Sequence, residues 1–492
     1  MINFLLALAI LIGGLVSSSG TTVQVNYAPP QPRVQAQIEG QELVAQRTKT
    51  TKVYQVGPNQ YTLRASVGAQ HYRDAGGVWQ EIDNNWYPAV APWNWQMTQD
   101  SYTTRALSNL TAGQVIEYSN QGEYVRFQPM ALQWTNNLSQ VSQISIPKNV
   151  PVSVSGGRIS WVNGYGSGRD FAWINQPERL VTLLTLNGPL PTPSQTIING
   201  GNPVAELNFI FDPSSALDIY VNGTLWDKRA TVNSALAVEF RRSGVTLFAF
   251  APPFAYDSEG SPAVVTAQLR RTGNNLFISV RVPYSWLLGA AYPVTIDPTF
   301  NIAASADDVS ILSSTFNATT PNFTIGDVSS SRRDGALRFV SLNIQNSSTI
   351  NSAFVSLVSN NTLSGTTVNI NISAEAVDNA TQIVSTADFD ARVLTAAVAW
   401  NSIPAHTAGT SYDTPSIVSP TQSVVNRAGW VSGNAMNIFM KNNASSSNAR
   451  RQFESWDGTS YTEPILTITW TAPGGAVSGA YYYRMYGKGR AN

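Results

Sequence analysis

Thr367-Val-Asn-Ile-Asn-Ile-Ser373 places Val368, Ile370 and Ile372 on one face and Asn369 and Asn371 on the other. Side chains alternate across a strand with a period of two, so this stretch reads as a half-buried β-strand. Leu276-Phe-Ile-Ser-Val-Arg-Val282 follows the same rule, with Leu276, Ile278, Val280 and Val282 inward and Ser279 and Arg281 outward. Ile465-Leu-Thr-Ile-Thr-Trp470 alternates as well. Between such runs lie Asn163-Gly164, Asn199-Gly200-Gly201, Asn222-Gly223, Thr272-Gly273-Asn274 and Asp457-Gly458. These are turn sequences, because Gly and Asn accept the positive φ that tight hairpins need. Runs with helical period are nearly absent. Two short helical turns are expected, one at Ser385–Ala391, where Ser385 and Asp388 have capping-box spacing, and one at Pro420–Ala428. The fold class that follows is all-β, with two or more β-sandwich modules.

The chain has 492 residues, enough for two to four domains. Its 30 Lys and Arg balance 30 Asp and Glu, so there is no basic footprint for nucleic acid. Charged residues are only 12%, about half the usual share, and polarity comes instead from Ser, Thr, Asn and Gln. A weakly charged, wettable surface suits walls, fibres and glycan-facing settings. Hydrophobic residues at 43% allow a packed core. The absence of cysteine excludes disulfides, thiolate metal sites and cysteine nucleophiles.

Ile2 to Val16 is almost wholly apolar, and Ser17-Ser18-Ser19-Gly20 follows. That run is short for a bilayer span and fits the apolar region of a signal peptide, although no Lys or Arg precedes it. Residues 1–20 are therefore expected to be a signal peptide or N-terminal anchor, and residues 21–53, with Pro29-Pro30 and Pro32, a polar linker. A β-rich region is expected over 54–298 and a second module over 299–472, divided at Tyr292-Pro-Val-Thr-Ile-Asp-Pro-Thr299. Residues 473–492 read as a Gly- and Tyr-rich tail.

Two stretches in the first region resemble known proteins. His71-Tyr-Arg-Asp-Ala-Gly-Gly-Val-Trp-Gln-Glu-Ile-Asp83-Asn84 resembles the "HYKDxxGxWxxIDN" signature that opens the N-terminal β-region of wall-associated and Rhs-type secreted bacterial proteins. Trp286-Leu-Leu-Gly-Ala-Ala-Tyr-Pro-Val-Thr-Ile-Asp-Pro298 resembles the sequence that closes it. The second module is similar to the DNRLRE-type jelly-roll domain, regarded as like a carbohydrate-binding module. The likeness rests on Ala306-Asp307-Asp308, Asn322-Phe-Thr-Ile-Gly326, Ala336-Leu-Arg-Phe339, Thr349-Ile-Asn-Ser-Ala-Phe-Val-Ser-Leu357, Val398-Ala-Trp400-Asn401 and Glu463-Pro464 to Trp470. The motif that gives the domain its name is degenerate here, with Arg332-Arg333-Asp334-Gly335 in its place. The resemblance implies a C-terminal jelly roll and an extracytoplasmic protein: secreted, cell-surface or virion, as in phage tail fibres.

The residues give little sign of catalysis. There are two histidines, His71 and His406, and no nucleophile elbow; Gly164-Tyr-Gly-Ser-Gly168 is a shifted Gly-rich loop. Paired carboxylates such as Asp170 with Glu178, or Asp388 with Asp390, have no context that singles them out, and no catalytic residue is assigned. Asp307, Asp308 and Asp327 are the candidates for a structural calcium; no other cofactor is expected. Sugar faces stack on aromatic rings, and loop aromatics are the candidates for that role: Tyr412, Trp456 and Tyr461 in the second module, Trp93 and Trp95 in the first. Trp400, Trp430 and Trp470 are expected in the core.

The expected function is a non-enzymatic surface or virion protein that attaches to polysaccharide or cell-envelope glycan through the jelly roll. The alternative is a purely structural fibre, decoration or sheath component that packs against itself or other surface proteins. A glycan-active enzyme is the third reading and needs two carboxylates converging in a cleft.

Overall fold

The computed structural model describes residues 38–474 apart from 259–260, 303–306, 319, 321 and 459–460. The expected signal peptide or anchor, most of the linker and the tail beyond 474 lie outside the described residues. The regular structure of the described chain is nearly all β, 48% strand against 6% helix, in several antiparallel sheets with no closed barrel among them.

The strands group into two sandwiches, and the grouping does not follow the chain in order. The first is built from residues on either side of an insertion. One of its sheets runs Gln41–Glu42, Thr51–Gly57, Gln60–Ser66, Ile465–Thr471, Thr349–Val358, Ser411–Asp413. The other runs Thr315–Asn317, Asp308–Leu312, Ser331–Phe339, Met436–Asn442, Ile370–Ala374, Val398–Trp400, with Asn322–Val328 and Arg450–Glu454 joined beside Ser331–Phe339. Their inner faces share one core that takes Val53, Leu63 and Leu466 from one sheet and Phe323, Leu337 and Ile438 from the other. The N-terminal hairpin thus completes the C-terminal module: Gln60 to Ser66 pair residue by residue with Thr471 to Ile465.

Residues 41–53, read in the sequence as linker, are therefore partly strand. Polar side chains on Thr51, Lys52 and Gln55 hid the period-two pattern there. Lys52 and Arg64, directly opposed in the hairpin, are both buried.

The second sandwich is the insertion itself, about residues 84–302. Glu123–Thr135, Val204–Pro213 and Asn275–Pro283 lie side by side in one sheet. Arg169–Gln176 and Arg179–Leu186 anchor the other as a hairpin. Its core is aromatic: Phe300 lies 4.3 Å from Phe127 and 4.9 Å from Phe250, and Trp161 meets Trp173 edge-on at 5.4 Å. Phe300–Asn301 pairs with Arg179–Leu186 and Val245–Phe250, so this module closes at about 302 rather than 298.

The alternating strands behave as their pattern requires. Val368, Ile370 and Ile372 are fully buried, as are Ile278, Val280 and Val282. Ser279 departs from its expected outward place. Its hydroxyl donates to Asn208 Oδ1 at 2.7 Å and accepts from Arg270 Nη1 at 2.7 Å, within a buried polar row on the opposite face of the sheet. Asn222-Gly223 forms the expected turn with φ of 52° and 76°, both in the left-handed region. The two helical turns are present at Thr386–Ala391 and Val418–Val425, and Ser385 caps the first through the amide of Asp388.

Candidate functional site

A cleft of about 680 Å3 opens where the two sandwiches meet. One wall is the segment that leaves the first sandwich: Lys52, Gln70, Glu81, Asp83 and Asn84. The facing wall is the Arg169–Gln176 hairpin with Gly156, Gly157, Asn175, Gln176 and Arg179. The last part is the approach to the final strand, with Trp456, Tyr461 and Glu463. Four stretches far apart in sequence therefore supply one concave surface.

Arg179 ties these walls together. It opens an otherwise apolar strand and is buried. Its Nη2 donates to the carbonyl of Gly458 at 2.6 Å, and its Cζ sits 4.5 Å over the ring of Trp456. Asp457 Oδ1 lies 3.9 Å from Nη1. Beside it, Lys49 reaches across the junction to Glu178 at 2.6 Å. Glu178 itself holds a left-handed φ of 65° at the tip of the hairpin, which turns Arg179 inward.

Beneath the wall, Asp100 Oδ2 accepts from Asn84 Nδ2 at 2.7 Å and from the Glu178 amide at 3.2 Å. Burial pushes the Asp100 carboxyl up to about 6, against the pull of these donors. Asp297, fully buried and bonded to the Thr299 hydroxyl, is pushed up by burial to about 7. Gly157 has no room for a side chain, since an added Cβ would stand 2.7 Å from the Asn175 carbonyl oxygen. The cleft floor is therefore fixed closely at that point.

Of the candidate rings, Trp456 and Tyr461 come together in this cleft. Trp456 is only 8% exposed: its amide donates to Asp308 Oδ2 at 2.5 Å, and its indole edge packs where a Cβ on Gly68 would reach it at 2.7 Å. It lines a wall and is not a displayed platform. Tyr461 is half-buried. Tyr412 is elsewhere, stacked on His406 at 3.6 Å, and its hydroxyl accepts from the Thr407 amide. Trp93 and Trp95 sit on the inserted sandwich away from the cleft, Trp95 donating to Ser108 Oγ at 3.0 Å.

Asp307, Asp308 and Asp327 are taken up separately. Asp307 pairs with Arg338 at 2.9 Å, Asp308 receives Trp456, and Asp327 accepts from the Ser330 and Asn448 amides. The carboxylate pairs considered from sequence are likewise held by their own partners: Asp170 by Asn163 and Asn187, Asp388 by Arg392, Asp390 by Arg332.

His406 is 1% exposed between Tyr412 and Phe453. Burial, aided by the nearby Arg451 charge, pulls it down to about 4 from 6.5. The folded state therefore holds it neutral. The stability this contributes is complete above pH 6.5 and is lost as pH falls from there toward 4. Urea unfolding should show a loss of order 2 kcal/mol between pH 7 and 4.5 from this group. His406→Phe should flatten that part of the profile.

The sequence missed Arg179, Asn175 and Gln176. An arginine at the head of the run Arg179-Leu-Val-Thr-Leu-Leu-Thr-Leu186 was the available signal, because an uncompensated charge in a buried strand calls for partners from elsewhere.

No protein-family model matches the chain, and no curated protein matches it. Among solved structures it matches an exo-beta-1,3-galactanase from Phanerochaete chrysosporium at 9% identity and a TM-score of 0.15, over 82% of this chain and all of that one. A Trypanosoma rangeli sialidase matches at 8% identity and 0.12, over 88% and 91%. A GH43 protein from Bacillus licheniformis matches at 10% and 0.11, over 84% and 96%. At such TM-scores the backbones do not share a fold, and no residue role is taken from them. The expectation of a non-enzymatic attachment protein, with a self-assembling fibre as its alternative, is nonetheless corrected. The jelly-roll rings meant to form an attachment face are divided between an internal stack and an inter-module cleft.

Proposed function

We propose that the cleft between the two sandwiches is a saccharide site, made jointly by both modules. The observation that carries this is the composition of its wall. The Tyr461 ring stands beside Glu81, Asp83 and Glu463 and the amides of Gln70, Asn84, Asn175 and Gln176, with Trp456, covered by Arg179, forming the wall behind them. Aromatic rings take the C–H faces of a sugar, while carboxylates and amides bond its hydroxyls. The mixture of charges on the wall, with Lys52 and Arg179 against three acids, favours a neutral or mixed sugar over a polyanion. Low surface charge and the resemblance of both modules to secreted proteins support an extracytoplasmic setting. Among the described residues, no helix is long and apolar enough to cross a membrane.

Calorimetric titration of the full chain with a panel of neutral and acidic oligosaccharides tests this. At least one should bind saturably, and Tyr461→Ala should weaken it about tenfold, equivalent to ~1.4 kcal/mol. No saturable binding by the folded protein, or binding indifferent to Tyr461→Ala, would sink the proposal. New reducing ends appearing during the titration would separate turnover from binding.

A further inference from the structure

His71 and Glu81 face each other across the short ribbon His71–Arg73/Trp79–Glu81. Glu42, at the end of the strand Gln41–Glu42, comes up beside them, so that one ligand atom from each of the three lies within 4.8 Å of the others. His71 is 1% exposed. Its Nδ1 is 2.6 Å from the carbonyl oxygen of Thr48, which can only accept, so the ring proton is on Nδ1. Nε2 is then a bare lone pair. It is buried and has no hydrogen-bond partner. A buried ring nitrogen without a partner is costly.

We propose that Glu42, His71 and Glu81 form a site for a borderline divalent cation of the zinc class. Imidazole nitrogen with two carboxylate oxygens is a donor set for zinc and its neighbours rather than for calcium or magnesium, which take oxygen alone. The Nδ1–H to carbonyl bond is the arrangement that fixes a metal-binding histidine in its tautomer. Arg47 bonds both oxygens of Glu42, at 2.6 and 2.9 Å, and Oε1 of Glu81 at 3.0 Å, while Lys52 bonds Oε1 of Glu81 at 2.8 Å. These cations hold the carboxylates in position and leave Oε2 of Glu81 without a bond among the described residues. They also oppose the ion's charge, which limits its affinity. Three protein ligands leave a fourth position open. Glu81 is 55% exposed at its side chain and lines the cleft with Lys52, so the remaining coordination position is reached from the cleft.

The proposal does not rest on the saccharide reading, and its test uses no sugar. Chelator-treated full-length protein is titrated with zinc chloride at pH 7.5, with calcium and magnesium chloride as comparison. One zinc per chain is expected, with no binding of the other two. Glu81→Gln, which keeps an amide oxygen for Lys52 and Arg47 and is compared only after its urea midpoint shows a folded protein, should weaken zinc roughly tenfold or more, and His71→Asn at least as much. Glu463→Gln, on another part of the cleft wall, should leave zinc binding unchanged. Cobalt in place of zinc should give a visible absorption band that His71→Asn removes. Absence of stoichiometric zinc binding, or binding equal in wild type, Glu81→Gln and His71→Asn, would overturn the assignment.

Discussion

Arg179→Ala is expected to lower the unfolding free energy by about 3–4 kcal/mol and to abolish saccharide binding in the cleft. The side chain is buried, and its removal strands the Gly458 carbonyl and uncovers the Trp456 ring. Breaking a buried charge contact by taking one partner away costs in this range because the other partner stays buried. Arg179→Lys should recover only part of the loss. A lysine ammonium can meet one carbonyl, but it cannot also lie flat over an indole. Urea unfolding of both variants, with oligosaccharide titration beside it, measures this. Wild-type stability in Arg179→Ala would mean that the junction is held by the strand pairing alone.

Asp297→Asn is expected to stabilise the protein in alkali and to do nothing in acid. Burial raises the Asp297 carboxyl from 3.8 to about 7 in the folded state. Below pH 4 it is protonated both folded and unfolded, and there is no penalty. Between pH 4 and 7 the unfolded chain gives up its proton while the folded chain keeps it, so stability falls as pH rises. Above 7 the full cost is present. At about 1.4 kcal/mol for each tenfold in proton affinity, the ceiling is ~4 kcal/mol. The asparagine variant should exceed wild type by a few kcal/mol at pH 8.5 and match it at pH 4, read from urea midpoints. Equal midpoints at pH 8.5 would show that burial does not raise the Asp297 carboxyl and that its charge costs the fold nothing. The Arg179 charge holds the Asp297 carboxyl down somewhat, so Arg179→Ala should deepen the alkaline loss.

The all-β fold was legible because its interior strands are narrow ribbons with one wet face. Val368, Ile370 and Ile372 could be assigned inward from spacing alone, and they are buried. The mixed membership of the first sandwich was not legible. Nothing local in Gln60 to Ser66 shows that its partner is Ile465 to Thr471, about 400 residues on. Strand pairing is settled by tertiary packing, and long-range pairing leaves no periodic mark. The cleft was half legible. Trp456 and Tyr461 were chosen for their loop surroundings, and they do line it. Chosen on the same grounds, Tyr412 lies against His406, because a ring in a loop packs as readily onto a neighbour as it faces solvent. Glu81, Asp83 and Asn84 stood within a stretch quoted for its resemblance, yet their facing partners Asn175 and Arg179 come from a different sandwich.

The inserted sandwich also sets an order on synthesis. A ribosome delivers residues 41–66 first, then the entire second sandwich, and only at the end Ile465–Thr471, the strand on which Gln60–Ser66 must close. Domains fold as units while the chain emerges. The insertion can therefore finish while the early hairpin waits with an unpaired edge, which is a hazard for association between nascent chains. The cleft, which needs the approach to that last strand, exists only in chains translated through it. A chain cut short by a few dozen residues has an intact insertion and no site.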